Sequence, residues 1–233
     1  MNAIITGATK GIGRAIAENF CERGFTIAVC SRHEEELKTM AQELESRFDS
    51  CKVYYKATNL SSKEDTLRFA DYCIESLGEV HVLVNNAGVF SPGLLLEEDE
   101  TMLEEILKVN LFSVYHLTRR IAPLMVSCGH GYIVNISSIA GIGPYPNGGS
   151  YSISKFALRG FTMTLREELK ETGVKVTSVL PGATWSNSWA GVDLPESRLM
   201  KARDIAVAVS SIFDMSPSAV MEEIIIRPQL GDL

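Results

Sequence analysis

The chain has 233 residues, 45% apolar and 22% charged, a composition near the average of soluble globular proteins that argues against disorder and fibrous folds. Its 22 basic and 29 acidic side chains give a net charge of −7, which disfavours a nucleic-acid or anionic-membrane partner. The sequence contains no leader pattern, no bilayer-length apolar run and no metal-binding histidine or cysteine spacing. Five cysteines without a Cys-x-x-Cys pair predict free thiols in a reducing, cytoplasmic compartment.

Short β-rich runs alternate with longer helical patterns along the chain. Strands are predicted at 3–5, 25–30, 52–55, 80–84, 131–136, 174–180 and 223–226. Helices are predicted at about 12–23, 34–47, 62–76, 100–127, 151–172 and 203–214. Several strands are nearly continuous apolar runs, which is typical of parallel strands covered on both faces. The pattern predicts an α/β fold, a doubly wound parallel sheet of about seven strands with helices on both faces, as one domain over 1–233.

Three of these helices are followed by a glycine, at Gly24, Gly78 and Gly173. Glycine can take a left-handed conformation without a Cβ clash, so these residues are predicted to end helices. The one irregular stretch, Pro181 to Ser197, is rich in small and turn residues and contains both tryptophans. It follows the sixth strand, and ligands bind at the carboxyl ends of strands in open α/β sheets. We therefore predict a substrate lid at about 183–200.

A glycine-rich turn joins the first strand to the first helix. It contains Gly7, Gly11 and Gly13, together with Thr9, Lys10 and Ile12. Glycines at this spacing permit a tight turn, let the backbone approach a pyrophosphate, and let the helix pack closely on the strand. The amino end of the helix offers free N–H groups and a positive dipole end to phosphates. The βαβ context therefore predicts a dinucleotide site.

The end of the second strand indicates which dinucleotide binds. A site for NAD has an acidic residue there for the ribose 2′-hydroxyl, but this chain has Cys30, Ser31 and Arg32. A guanidinium can bind a 2′-phosphate, with Ser31 and Lys10 as further donors. We therefore predict NADP(H) rather than NAD(H).

A tyrosine and a lysine, Tyr151 and Lys155, are spaced to lie one turn apart on the same face of a helix. A nearby ammonium favours the phenolate, so we expect it to lower the pKa of Tyr151 and to make the phenol a proton donor or acceptor near neutral pH. Ser138, at the end of the fifth strand, can hydrogen-bond a reacting carbonyl oxygen. These residues predict carbonyl chemistry.

Taken in this order, the motifs resemble the short-chain dehydrogenase/reductase family over nearly the whole chain, which implies a Rossmann fold. The matching positions are Gly7, Gly11 and Gly13, the Asn-Asn-Ala-Gly at 85–88, Asn110, Ser138, Tyr151, Lys155 and Pro181-Gly182. The resemblance implies that Tyr151 is the general acid, that Lys155 tunes it and binds the nicotinamide ribose, that Ser138 orients the carbonyl, and that Asn110 anchors a water. It also implies that Asn86, Ala87 and Gly88 flank the adenosine side, and that Pro181, Gly182 and Thr184 line the nicotinamide end. The neighbouring Ser137 is disfavoured, because the thirteen-residue spacing to Tyr151 matches Ser138.

Two positions depart from the family pattern. Asn59, before Leu60, stands where an aspartate is usual beside the adenine, and its carbonyl oxygen is expected to serve as the acceptor instead. After Pro181-Gly182, Thr184 and Ser186 replace the usual β-branched apolar residue and threonine. The contact of the lid with the cofactor carboxamide is therefore left open.

The predicted substrate is a small ketone or aldehyde, bound by Ser138, Tyr145, Tyr151, Trp185 and Trp189. The tail after Glu222 and the position of Trp189 are similar to bacterial sepiapterin-reductase-like members. That likeness implies a pterin with a side-chain diketone, its amines bound by Asp193 or Asp232. The alternatives are a 3-oxoacyl thioester reductase, an alcohol dehydrogenase, and a non-catalytic NADP-sensing module. Family members form homodimers or homotetramers through the helices at 100–127 and 151–172, so we expect one of these assemblies.

Overall fold

The computed structural model describes residues 1–185 and 195–232. Within these residues, seven strands form one parallel sheet in the order β3-β2-β1-β4-β5-β6-β7. The strands are β1 Asn2–Thr6, β2 Thr26–Ser31, β3 Lys52–Ala57, β4 Val82–Asn85, β5 Gly131–Ile136, β6 Val174–Pro181 and β7 Glu223–Ile226. The predicted doubly wound parallel sheet is confirmed.

Helices cover both faces of this sheet. They are α1 Gly11–Glu22, α2 Glu34–Arg47, α3 Lys63–Leu77, α4 Met102–Leu107, α5 Ser113–Cys128, α6 Gly149–Leu169 and α7 Ala202–Ser211. One apolar core joins the sheet to α1, α2 and α7, and includes Phe20, Leu37 and Ile205. A second core joins it to α3 and α5, and includes Phe69 and Leu117.

The strand order reverses between β1 and β4, which are neighbours in the sheet although two βα units separate them in sequence. All strands are parallel, so their carboxyl ends lie at one edge, and a crevice opens there where the order reverses. The register places Ile5 opposite Val84 and Asn85 opposite Asn135. The polar residues that follow β1, β4 and β5 are therefore brought to one place.

The predicted glycine turns are present. Gly24, Gly78 and Gly173 have φ angles of 78°, 68° and 81°. A Cβ at position 173 would lie 2.0 Å from the carbonyl oxygen of Gly129. Both the positive φ and this lack of space therefore require glycine at position 173.

The predicted helix at 100–127 is interrupted. A π-helical turn, Lys108–Phe112, separates α4 from α5 and contains the buried Asn110. The extra residue in a π-turn shifts the helix phase, and such turns occur frequently at functional sites. The hydrophobic period continues through this turn, so the sequence pattern did not reveal it.

The cysteine prediction is wrong for one pair. Cys21, near the end of α1, and Cys51, just before β3, are joined by a disulfide with Cα atoms 4.9 Å apart. The residues are 30 positions apart, and the packing of α1 beside the loop that follows α2 brings them together. Cys30 and Cys73 are buried free thiols, and Cys128 is exposed. No helix in the described part of the chain has both the length and the apolar character needed to cross a membrane.

Candidate active site

A cavity of about 540 Å³ opens at the carboxyl ends of β4, β5 and β6. Its walls bring together residues that are far apart in sequence, including Asn86, Ser138, Tyr151, Lys155 and Gly182. Ile12, from the first turn of α1, also lines it, so the cavity reaches the glycine turn. The described residues contain no group of three or more His, Cys, Asp or Glu side chains able to hold a metal ion.

The phenol and the amine predicted to act together both belong to α6. The Nζ atom of Lys155 lies 5.6 Å from the centre of the Tyr151 ring and donates a hydrogen bond to the carbonyl of Ile136 at 3.2 Å. Burial lowers the pKa of Lys155 from 10.5 to about 8. The amine therefore gives up its proton at a lower pH than an exposed lysine does.

The pKa of Tyr151 moves in the direction opposite to the sequence expectation. Burial raises it above its ordinary value, because a phenolate is poorly solvated there. The side chain of Ser138 acts the other way and lowers it, while Tyr145 raises it further. In this structure desolvation therefore exceeds any stabilisation of the phenolate, and Tyr151 is a neutral phenol with a proton to give.

The two adjacent serines after β5 point to different partners. The hydroxyl of Ser138 accepts the Ala140 N–H at 3.1 Å and faces the tyrosine, and its residue is half-buried. The hydroxyl of Ser137 is buried and directed to the backbone carbonyl of Lys155, 3.5 Å away. The geometry favours Ser138 over Ser137 as the group available to a ligand.

Asn110 fixes the segment after β4 through its side chain. Its Oδ1 accepts the Val89 N–H at 2.8 Å, and its Nδ2 donates to the Val89 carbonyl and to the Ser154 hydroxyl, both at 3.0 Å. The side-chain amide is thus engaged by protein groups. The water-anchoring role implied by the family resemblance remains a prediction.

Three aromatic rings meet at the mouth of the cavity. Phe90 makes edge contacts with Tyr151 at 4.9 Å and with Tyr145 at 6.4 Å between ring centres. Pro146 and Asn147 also line the wall, and the sequence argument did not name them as site residues. Asn147 has a φ of 54°, and its place before two glycines was the turn signal that could have found it.

The glycine turn has the close packing that a dinucleotide site requires. A Cβ at Gly13 would lie 2.2 Å from the Gly7 oxygen and 2.4 Å from Nδ2 of Asn86. That amide donates to the carbonyls of Thr6 and Gly7, while Oγ1 of Thr6 accepts the N–H groups of Asn86 and Ala87 at 3.0 Å. The ends of β1 and β4 are therefore tied together beneath this turn.

The amino end of α1 is open to an anion. Lys10, at the N-cap, forms no capping side-chain bond, and the first turn contains no acidic residue. The N–H groups of Gly11, Ile12 and Gly13 thus have no side-chain acceptor from the N-cap, and they carry the positive end of the helix dipole. Together with the glycine cradle, this donor set fits the pyrophosphate of a dinucleotide.

Some residues predicted at the adenosine end already have partners. Arg32 is exposed at the end of β2, beside a half-buried Ser31, but Lys10 forms an ion pair with Glu36 at 2.7 Å. Both lone pairs of the Asn59 side-chain oxygen are used by Ser61, whose N–H and hydroxyl donate at 3.1 and 2.8 Å. Without a cofactor this exposed oxygen is thus engaged locally, and its contact with an adenine amine remains a prediction, as does that of the buried Leu60.

The predicted lid is described only at its two ends. Pro181, Gly182 and Thr184 line the cavity, whereas Trp185 does not and is 38% exposed. Trp189 and Asp193 lie outside the described residues. Asp232 lies behind Gly182, where its Oδ1 would be 2.3 Å from an added Cβ.

Sequence comparison relates this chain to known oxidoreductases. A family model described as short chain dehydrogenase matches residues 1–195. The chain is 32% identical over 238 residues to a sepiapterin reductase of Chlorobaculum tepidum, covering 99% of this chain and 97% of that protein.

Two solved structures extend the likeness to three dimensions. An alcohol dehydrogenase of the archaeon Thermococcus sibiricus, complexed with 5-hydroxy-NADP, has a TM-score of 0.89 at 28% identity, covering 98% of this chain and 96% of that one. A metagenomic short-chain oxidoreductase in complex with NADP has a TM-score of 0.84 at 30% identity, covering 98% and 97%. By sequence and by fold, the chain belongs to the short-chain dehydrogenase/reductase family.

Proposed function

We propose that this protein is an NADPH-dependent reductase of small ketones or aldehydes. The observation that carries the proposal is the meeting of Tyr151, Ser138 and Lys155 on the walls of one cavity that also reaches the glycine turn. A phenol, a hydroxyl and an amine around one space suit protonation of a carbonyl oxygen. A non-catalytic sensor would not need this set, which argues against that alternative.

The neutral phenol of Tyr151 is suited to donate its proton to the carbonyl oxygen as the alcohol forms. Ser138 donates a hydrogen bond to the same oxygen and stabilises the charge that develops on it. When bound, NADPH supplies the hydride that attacks the carbonyl carbon, so hydride and proton together convert the carbonyl to an alcohol. Lys155, protonated below about pH 8, stabilises the phenolate left on Tyr151.

The residues at the ends of β1 and β2 support NADP(H) as the cofactor. The open amino end of α1 suits the pyrophosphate, and Arg32 suits the 2′-phosphate. The cavity walls include Asn86, Gly88, Pro181, Gly182 and Thr184, which supports their proposed contacts with the cofactor. The NADP-type cofactors in the two similar structures support the same assignment.

For the substrate, we propose a pterin with a carbonyl side chain. The similarity to a sepiapterin reductase supports this. So does Asp232, whose Oδ2 pairs with Arg227 at 2.7 Å, while its buried Oδ1 has no partner in the described part of the chain. That oxygen lies against Gly182, which lines the cavity, so an unpaired carboxylate oxygen stands directly behind the cavity wall. The alternative is alcohol oxidation in the reverse direction, favoured by the similarity to an alcohol dehydrogenase.

The segment at about 183–200 is the proposed substrate lid. Its described ends are joined by the Trp185 N–H to the Met200 carbonyl at 2.8 Å and by the Met200 N–H to the Ala183 carbonyl at 3.1 Å. The two described ends of the segment therefore lie side by side next to the cavity, which suits a cover over the site.

We also propose self-association through α5 and α6. Large apolar side chains are exposed on and beside these helices: Phe112, Tyr115, Val126, Ile153, Phe156 and Met163. Exposed apolar side chains of this size often mark an interaction surface, and closed symmetric pairing is the usual way to cover one. The occupant is a second copy of this chain.

Replacing Tyr151 by Phe should remove the proton donor. We expect kcat for NADPH oxidation with a responsive carbonyl compound to fall by about 10²- to 10⁴-fold, with NADPH binding retained. The assay follows NADPH absorbance over a carbonyl panel that includes sepiapterin. Tyr132→Phe, on β5 away from the cavity, is the control. A Tyr151→Phe enzyme as fast as the parent would contradict the acid assignment, and failure of the parent to reduce sepiapterin would remove the pterin proposal.

Replacing Arg32 by Asp should weaken the binding of NADPH but not that of NADH. Loss of a charge-assisted bond and gain of a like charge should raise KM for NADPH by at least about tenfold, with little change for NADH. The measurement compares both Michaelis constants with those of Arg203→Asp, the same charge change at an exposed position on α7. Equal effects on the two cofactors would contradict 2′-phosphate recognition.

Replacing Lys155 by Met should stabilise the apoprotein while abolishing activity. Because the folded pKa is about 8 against an ordinary 10.5, the unfolded chain binds more protons between these values, and stability of the parent rises with pH across that window. The buried ammonium is therefore most unfavourable below pH 8. There we expect the variant to be more stable by about 2 kcal/mol, after allowing for the lost bond to Ile136.

Urea unfolding at about pH 7 and about pH 9.5 checks this, since the advantage of the variant should shrink at the higher pH. Lys170→Met, at an exposed lysine just after α6, should show no such pH dependence. An advantage of Lys155→Met that is constant with pH would contradict the depressed pKa.

Replacing Phe156 by Glu should break the association, because it puts a charge among the exposed apolar side chains of α6. We expect a monomer by sedimentation velocity where the parent is a dimer or tetramer. Leu96→Glu, at an exposed leucine outside these helices, should keep the assembly of the parent. A monomeric parent would contradict the proposal.

A further inference from the structure

The segment between β4 and α4 crosses the amino end of α6 and is fastened to it. The Gly93 N–H donates to the Asn147 carbonyl at 2.9 Å, and Gly93 and Gly148 form an isolated parallel bridge. The same segment carries Phe90, whose ring packs edge-on against Tyr151. One wall of the cavity is therefore held against the helix that carries the proposed acid.

The second fastening is the side chain of Glu98. Its Oε2 accepts the Ser150 N–H at 3.2 Å, and its Oε1 accepts the Ser150 hydroxyl. Ser150 is fully buried and directly precedes Tyr151. The half-buried carboxylate thus satisfies two donors in the first turn of α6, at the positive end of its dipole.

The backbone leaves little freedom at this contact. Gly149 has a φ of 35°, and a Cβ there would lie 2.6 Å from Oε2 of Glu98 and 2.8 Å from the carbonyl oxygen of Gly93. The close approach of the segment to the helix therefore requires glycine at this position. Glu98 occupies the space that a side chain at 149 would fill.

We propose that Glu98 is a positioning residue that sets the placement of the substrate carbonyl relative to Tyr151. It fixes the segment 89–98 on α6, and so fixes Phe90 against the tyrosine ring. This inference rests on the proposed reductase function. Small displacements of a reacting group from its acid lower the rate steeply, so this fastening acts on turnover and on selection among carbonyl compounds.

A carboxylate suits this place because it supplies two acceptor oxygens to two donors. Glutamine has one acceptor oxygen, so its NH₂ group would donate to the Ser150 hydroxyl, which reverses that hydrogen bond and removes the carboxylate as acceptor of the hydroxyl proton. It also removes the negative charge at the amino end of α6. We expect Glu98→Gln to lower kcat/KM for the carbonyl compound by about tenfold, mainly through kcat, with KM for NADPH changed by less than about twofold. Preference between a bulky and a small carbonyl compound should also narrow.

The matched control is Glu97→Gln, the same change at the neighbouring, exposed glutamate, which should behave as the parent. Ser150→Ala removes the hydroxyl partner, and the double variant with Glu98→Gln should be less impaired than the product of the two single effects, since both remove one contact. The pH profile of kcat should keep its shape, because Tyr151 and Lys155, to which the proton chemistry is assigned, are unchanged. A purely structural role would lower the melting temperature and leave kcat and selectivity of the folded enzyme unchanged.

Hydrogen exchange gives a readout that is independent of turnover. In Glu98→Gln, amides of 89–98 should exchange faster, and those of the later turns of α6 should not. If the parent reduces no carbonyl compound, the reductase proposal fails while the exchange result still tests the fastening. If the parent is active and Glu98→Gln matches Glu97→Gln in kcat, selectivity and exchange, the inference is overturned.

Discussion

The buried amine of Lys155 is the constraint on which the arrangement of this site depends. A cation in the interior is tolerated only with compensating contacts, and the Ile136 carbonyl at the end of β5 provides one of them. That bond joins α6 to the strand that leads into Ser138. Because burial also moves its pKa to about 8, the amine remains a titratable group rather than a fixed charge. Burial thus determines both the contacts that hold the amine of Lys155 and its lowered pKa.

The surrounding backbone packs closely on this group. A Cβ at Gly88 would lie 3.4 Å from Oδ1 of Asn110 and 3.5 Å from the Lys155 Nζ, so the segment after β4 packs directly on both. Asn110 holds that segment through Val89, and the π-turn at 108–112 holds Asn110. Burial of the tyrosine and of the lysine therefore follows from close backbone packing around them, and so do the directions of both pKa shifts.

The sequence predicted the features that depend on local pattern. Continuous apolar runs indicated parallel strands, and the glycines at 24, 78 and 173 indicated turns. The shared site of Ser138, Tyr151 and Lys155 was implied by the family resemblance. Features that depend on which side chains meet in space were missed. The Cys21–Cys51 pair, the Lys10–Glu36 ion pair and the hydrogen bonds of Ser61 to Asn59 are of this kind. The direction of the tyrosine pKa was missed for the same reason, since burial cannot be read from a spacing of four residues.

The contact of Glu98 with Ser150 shows where the remaining specificity of such a fold is determined. The sheet and one long helix position the three groups. The hydroxyl of Ser138 follows the end of β5, and the acid and the amine, Tyr151 and Lys155, stand on α6. The segment 89–98 belongs to no regular element, and three leucines that follow Gly93 are exposed. Its position thus depends on a few polar contacts with α6 rather than on a core. A chain can change these contacts, and with them the wall that faces the substrate, without disturbing the groups that move the proton.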